Sequence, residues 1–278
     1  MVDYEACEYS FMTFYMWQHV FNTSYIIKDG YLNIFGREEG DRYFAVQPIT
    51  TPDKYQQAFE TIEACFNNMN QKINLVAITK PWLDYLTEHY PKRFEVIEER
   101  DAHDYLYEAE KLRTLSGRKY HSKKNHFNGF MKEYGNRFLY RELTQKDFPE
   151  AIKLMDRWAE DKEKDQNLVG ERLAVEKVFR NYSRLPETKV GGIFIDDVLE
   201  AFSFGDLLNP DTAVIHVEKA NPEIRGLYAA INKLFLENEF PSVEFVNREE
   251  DLGIEGLRQA KLSYKPIKLV EKYTLIEK

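Results

Sequence analysis

Cysteine is almost missing from this chain: only Cys7 and Cys65 occur in 278 residues. Two thiols exclude a disulfide framework and a cysteine-rich metal centre. Long apolar runs are missing as well. No segment approaches the ~20 consecutive apolar residues that cross a bilayer. The N-terminal stretch lacks a basic region followed by an apolar core, and the expected location is cytoplasmic. There is no Gly-x-Ser-x-Gly, no phosphate loop ending in Gly-Lys-Ser/Thr and no dinucleotide fingerprint, so hydrolase, nucleotidase and dehydrogenase readings find no support. No His/Cys spacing suits zinc. The acidic run Glu249-Glu250-Asp251 reads as carboxylates favouring a helix N-terminus, and no metal is expected.

What is present is a globular composition, 43% apolar and 31% charged, in a length that allows one large domain or two small ones. Charge is unevenly placed. Lys111 to Arg141 holds nine Lys or Arg against the single acid Glu133, so this stretch is +8 and the rest of a chain at −9 sums to −17. Such asymmetry points to a local site for an anionic partner. The carriers are Arg118, Lys119, His121, Lys123, Lys124 and His126, in a segment that reads as a helix from Arg118 to Tyr134. Tyr120, Phe127, Met131 and Tyr134 can share its apolar face. The same pattern also suits a solvated face of a connecting helix.

The order of elements is α/β. A hairpin turns at Asp29-Gly30. A strand follows from Arg42 to Ile49, then a helix from Asp53 to Asn70, a strand at 73–78, a helix at 81–89 and a strand at 94–98. After the basic helix come a strand at 137–143, a helix from Asp147 to about Lys162 and another from Glu171 to Tyr182. Strands at 189–195 and 199–207 precede the most informative stretch. There Thr212-Ala-Val-Ile-His-Val-Glu-Lys219 alternates so that Val214, His216 and Glu218 point one way. A helix is expected over Glu223–Leu236, and a strand leading into a helix N-terminus is a ready anion site. A strand at 243–246, a helix at 254–262 and a final strand pair in 266–276 complete the chain.

This order is similar to the GNAT acyltransferase fold. Three motifs narrow the resemblance: Leu-Ser-Gly-Arg-Lys-Tyr-His-Ser-Lys-Lys-Asn-His at 115–126, His-Val-Glu-Lys-Ala-Asn-Pro at 216–222 and Asn-Arg-Glu-Glu-Asp-Leu-Gly at 247–253. Together they resemble bacterial proteins similar to the C-terminal domain of phosphatidylglycerol lysyltransferases. The resemblance implies a tandem GNAT-like α/β (α+β) arrangement with mixed central sheets flanked by helices. It implies a diverged first domain over 1–135, ending in the basic helix, and a second over 136–278 that carries the cleft. It implies acyl-CoA or aminoacyl-tRNA as donor and an amine or hydroxyl acceptor, with peripheral contact to anionic lipid as a further expectation.

The usual GNAT pyrophosphate turn is Arg/Gln-x-x-Gly-x-Gly/Ala. Asn221-Pro-Glu-Ile-Arg-Gly-Leu-Tyr228 departs from it, with the one glycine Gly226 and Tyr228 where a small residue is usual. Acyl transfer needs a base, an oxyanion stabiliser and a proton donor. Glu218 and His216 are the candidate bases and Tyr264 the candidate acid. Arg225, Gly226, Tyr228, Asn247, Arg248 and Arg258 are the candidate donor-binding residues. Each has a plainer reading as a satisfied core or surface group, so a non-catalytic binding protein on the same fold stays open beside the enzyme.

Overall fold

The computed structural model describes residues 4–38, 40–160 and 166–278. In chain order the helices and strands are α1 (Phe11–Phe21), β1 (Ser24–Lys28), β2 (Tyr31–Arg37), β3 (Tyr43–Val46), α2 (Tyr55–Asn68), β4 (Asn74–Ile78), α3 (Lys80–His89) and β5 (Phe94–Glu98). Next come β6 (Asp104–Glu108), α4 (Ala109–Thr114), α5 (His121–Tyr134), β7 (Phe138–Glu142), α6 (Phe148–Glu160) and α7 (Gln166–Arg180). The chain continues through β8 (Lys189–Ile195), β9 (Val198–Asn209), β10 (Thr212–Ala220), α8 (Leu227–Glu239), β11 (Phe245–Asn247), α9 (Glu255–Ser263), β12 (Lys268–Val270) and β13 (Tyr273–Glu277). The expected end of the helix near Lys162 lies outside the described residues.

Two units result. One comprises Met1–Asp104, Glu250–Glu255 and Leu269–Lys278, the other Tyr105–Glu249 and Gly256–Lys268. The expected division at residue 135 placed the basic helix in the first unit, whereas α5 belongs to the second. The first unit's sheet has the order β1-β2-β3-β4-β13-β5 and the second's β12-β6-β11-β10-β9-β8-β7. Each contains one parallel pair, β3–β4 or β10–β11, joined by a crossover helix, α2 or α8. The expected final strand pair does not form: β12 and β13 lie in different sheets. β13 is slotted antiparallel between β4 and β5, and β6 is slotted beside β11. Late and early segments of the chain thus complete each other's sheets, which hydrophobic pattern alone does not reveal.

The packing follows from the side-chain periods. In the first unit the stripe Tyr55, Ala58, Phe59, Ile62 and Phe66 of α2 is buried. Its aromatic residues and Ile62 join Trp82 and Leu86 of α3 and Leu275 of β13 in one core. Phe14 and Phe21 of α1 cover Ile34, Phe44 and Val46. The hairpin at Asp29-Gly30 is as expected, with Lys28 opposite Tyr31 and Gly30 at φ 87°. In the second unit alternation along β9 sends Ala201 toward α5 and α8, where it meets Phe130, Leu227 and Ile231. Phe202 and Phe204 meet Phe179 of α7, which stacks on Phe148 of α6 with ring centroids 4.1 Å apart. Burying several such aromatic rings contributes about 1.5–3 kcal/mol each relative to exposure.

Candidate active site

The candidate site is built where β10 and β11 end. The two strands pair in parallel only from Thr212 to Val214. Immediately beyond, the register of β10 against β9 slips between Ile215 and Val217. A bulge of this kind re-aims side chains, so strict alternation no longer dictates where His216 and Glu218 face. Both reach the residues that follow β11, but they meet different partners.

His216 has no exposed side-chain surface, and both ring nitrogens are engaged. Nδ1 lies 2.7 Å from Glu249 Oε1 and Nε2 2.9 Å from Asp206 Oδ1. Burial alone would depress the imidazolium. The two carboxylate hydrogen bonds and their charges override it and raise His216 to about 10. A ring protonated on both nitrogens has no lone pair for a substrate proton. With both ring nitrogens held by carboxylates, His216 has no nitrogen turned toward a substrate, which favours a cation tying two acids over a base. Asn247 is buried, and its Oδ1 accepts the Glu249 N–H at 2.7 Å, fixing a turn in which Glu249 takes a φ of 56°.

Glu218 heads a second cluster. Its Oε1 accepts from Arg248 Nη2 at 3.1 Å and its Oε2 from Asn232 Nδ2 of α8 at 3.0 Å. The side chains of Glu218 and Arg248 are only 11% and 12% exposed. Arg248 Nη1 and Asn232 Oδ1 are buried without a hydrogen-bond partner among the described residues. The Asn232 amide is oriented by the carboxylate it donates to, which leaves its oxygen facing away. One unfilled donor and one unfilled acceptor therefore flank a carboxylate. Leaving either unsatisfied costs about 1–3 kcal/mol, so the two groups are open to a further hydrogen-bond partner. Asn232 was not among the sequence candidates; a polar residue amid the apolar stripe of α8 was the available signal.

Tyr264 lies beneath this cluster. It is 4% exposed, and its ring carries the Arg248 guanidinium at 4.8 Å and the Lys123 ammonium at 4.0 Å. Burial drives the Tyr264 phenol upward, with Arg248 opposing and Glu218 adding to the rise, so it stays protonated through the neutral range. Lys123, expected to meet an anionic partner on a surface, is turned inward. It makes no ion pair among the described residues, and burial followed by the neighbouring Arg248 charge lowers it to about 8, against the opposing pull of Glu218. Arg118, Lys119 and Lys124 are exposed and unpaired among the described residues. His121 and His126 are also exposed, His121 Nδ1 lying 3.3 Å from Asn125 Nδ2.

The donor loop has a different role from the one expected. The helix starts at Leu227 rather than Glu223, because Gly226 caps it at φ 84°. A Cβ built at Gly226 would lie 2.2 Å from the backbone oxygen of His126. This glycine permits α5 to press its backbone against the loop. Arg225 is exposed, and Arg258 lies half-buried on α9. The Tyr228 hydroxyl accepts from Trp158 Nε1 at 2.8 Å, so Tyr228 joins α8 to α6.

One set of metal-type ligands is close together among the described residues. Single ligand atoms of Cys7, Asp104 and Glu250 lie within 4.8 Å of one another in the first unit. The Lys272 ammonium already stands there, 2.7 Å from Asp104 Oδ1, 2.6 Å from Glu8 Oε1 and 3.5 Å from Cys7 Sγ. With Lys272 1% exposed, the protein's own cation fills the position.

The sheets, with their parallel pairs and crossover helices, define a GNAT-like acyltransferase fold in tandem. More narrowly, the chain belongs to the family of the phosphatidylglycerol lysyltransferase C-terminal domain, which it matches over residues 1–276. It is 30% identical to a conserved protein of unknown function from Bacteroides thetaiotaomicron, whose crystal structure superposes with a TM-score of 0.92, covering 99% of this chain and 93% of that one. L-PGS from Bacillus licheniformis is 12% identical with a TM-score of 0.69, covering 94% of this chain and 86% of that one, a likeness of fold alone. A tandem GNAT protein from the clavulanic acid biosynthesis pathway is 9% identical with a TM-score of 0.51 over 91% of this chain and 83% of that one, again in fold. Family and fold support a transferase.

Proposed function

We propose that the second unit transfers an aminoacyl group from aminoacyl-tRNA to a hydroxyl or amine acceptor. The observation that carries this reading is the pair of unfilled groups on either side of Glu218. An aminoacyl ester presents a cationic amine beside a carbonyl. The carboxylate of Glu218 keeps lone pairs beyond the two already used, and with Asn232 Oδ1 it suits the ammonium. Arg248 Nη1 suits the carbonyl oxygen and gains strength as that oxygen becomes an oxyanion in a dry site. The neutral Tyr264 phenol lies within the same cluster and can supply a proton to the departing ribose oxygen. An acetyl group has no amine to place against Glu218.

Two further features favour this donor over acyl-CoA. Helix α5 packs against the Gly226 loop that a CoA pyrophosphate would need. The unpaired Arg118, Lys119 and Lys124 offer cations to a polyphosphate backbone, which releases counterions on binding. The family description names a lysyl group and phosphatidylglycerol, so lysyl-tRNA and phosphatidylglycerol vesicles are the first donor and acceptor to try. The test is titration of the chain with charged tRNA, uncharged tRNA and acetyl-CoA at two salt concentrations, followed by a transfer assay. Salt-steep binding that favours the charged form, with transfer lost in Glu218→Gln, is expected. Tight, salt-insensitive acetyl-CoA binding instead would overturn the proposal. A non-catalytic ligand-binding role on the same fold would follow if charged tRNA bound and was never consumed.

A further inference from the structure

The groups first expected to take a proton in the second unit are committed elsewhere. Both ring nitrogens of His216 are engaged, by Glu249 and Asp206. Glu218 accepts from both Arg248 and Asn232. Tyr264 is a buried phenol that gives up its own proton only at high pH. Yet a hydroxyl or ammonium acceptor must lose a proton to attack a carbonyl. One amine at the site remains without a carboxylate among the described residues. Lys123 projects from the first turn of α5 onto the face of the Tyr264 ring, with Nζ 4.0 Å from the centroid. It has no carboxylate partner among the described residues, unlike Lys219 paired to Glu171 at 2.7 Å and Lys233 paired to Glu237.

We infer that the neutral amine of Lys123 is the general base of the transfer, rather than one more cation for the donor's phosphates. The inference rests on the aminoacyl reading above. The Lys123 Nζ lone pair takes the proton as the acceptor oxygen or nitrogen forms its bond to the carbonyl carbon. Arg248 Nη1 holds the oxyanion. As the bond from that carbon to the ribose oxygen breaks, the Tyr264 phenol gives its proton to the departing oxygen and takes one back from the Lys123 ammonium beside its ring, so both groups return to their starting forms with no other co-reactant.

The charged groups facing the amine explain why it can be neutral. Arg248, after β11, and Lys265, after α9, repel a charge on Nζ, Glu218 of β10 attracts one, and burial adds to the repulsion, leaving the amine at about 8. Its neighbour Lys124 points into solvent and lacks this environment. A base poised near the working pH contributes about 10²–10⁴-fold to rate.

Two measurements on the full chain separate this inference from the reading beneath it. The first needs no substrate: competitive labelling by an amine-reactive reagent across pH, read peptide by peptide. Lys123 is expected to react with a midpoint near 8, below the ~10.4 of an ordinary lysine side chain; a midpoint at the ordinary value overturns the base role while leaving the aminoacyl reading intact. The second is single-turnover loss of the ester from lysyl-tRNA, with glycerol standing in for a hydroxyl acceptor. Lys123→Met and Lys123→Arg are both expected to fall about 10²-fold or more, while Lys123→Arg binds charged tRNA as the wild type does. Near wild-type turnover by Lys123→Arg would reduce Lys123 to a phosphate contact. Failure of the wild-type chain to bind charged tRNA would remove the aminoacyl reading, and the base role with it, whatever the labelling shows.

Discussion

The pairs β3–β4 and β10–β11 are the same construction used twice, two parallel strands joined by a crossover helix and then parting. In the first unit the parting strands are tied by a neutral amide. Gln47 Oε1 accepts from both the backbone N–H and the hydroxyl of Thr79, each at 2.8 Å. In the second unit the same place is held by charge, with His216 bound to Glu249 and Glu218 bound to Arg248. A neutral tie satisfies its groups and ends there. A charged tie in a buried place leaves surplus donors and acceptors, here Arg248 Nη1 and Asn232 Oδ1, which a ligand can complete. One construction serves as scaffold in one unit and as candidate site in the other.

The comparison breaks most readily at Arg248. Substituting Arg248→Lys keeps a cation near Glu218 but removes the second nitrogen of the fork. Transfer should fall about 10²–10³-fold, the usual loss of an oxyanion donor, with little change in melting temperature. Gln47→Ala should leave the rate untouched. Next in size is His216→Ala, which leaves Asp206 and Glu249 facing each other without a cation. A loss of about 3–5 kcal/mol is expected by denaturant titration. The same residue sets a pH dependence. His216 is raised from 6.5 to about 10 in the fold, so its stabilisation is complete below about 6.5 and disappears as pH rises through 10. Stability of His216→Ala should be flatter than wild type across that window.

A third change, Gly226→Ala, puts a methyl against the His126 carbonyl and forces a positive φ on alanine. It should cost about 1–3 kcal/mol from backbone strain, and thermal melts of the variant would reveal it; an unchanged melt means α5 is not held against the donor loop. Gln47→Ala itself strands two Thr79 donors and should cost about 1–3 kcal/mol in stability alone. The smallest effects belong to the exposed cations. Lys119→Ala and Lys124→Ala should each reduce the logarithmic salt slope of tRNA binding by about 1.

Much of the fold was legible because it rests on local rules. The Asp29-Gly30 hairpin, the aromatic stripe of α2 and the strand carrying His216 and Glu218 all follow from turn chemistry and period. Hydrophobic period does not encode which sheet a short strand joins, so β12 and β13 were read as a pair. The bulge beside His216 was hidden because it depends on β9, and it separates two residues that simple alternation placed together. Lys123 and Lys124 are adjacent and chemically identical in the sequence. Their division into an inward amine and an outward cation comes from the Tyr264 ring and the Arg248 charge, both more than a hundred residues away. Gly226 looked like half of a phosphate turn; its purpose emerges only with the helix that presses on it.

The insertion of β13 between β4 and β5 carries a consequence for biosynthesis. A ribosome releases β1 through β5 long before it reaches Tyr273–Glu277. Until then β4 and β5 have no strand between them, and Leu275 is missing from a core of aromatic side chains. Pairing Leu275 with Leu75 joins positions 200 residues apart in the chain, and such distant contacts form slowly. The sheet of the first unit can therefore close only after Tyr273–Glu277 have been made.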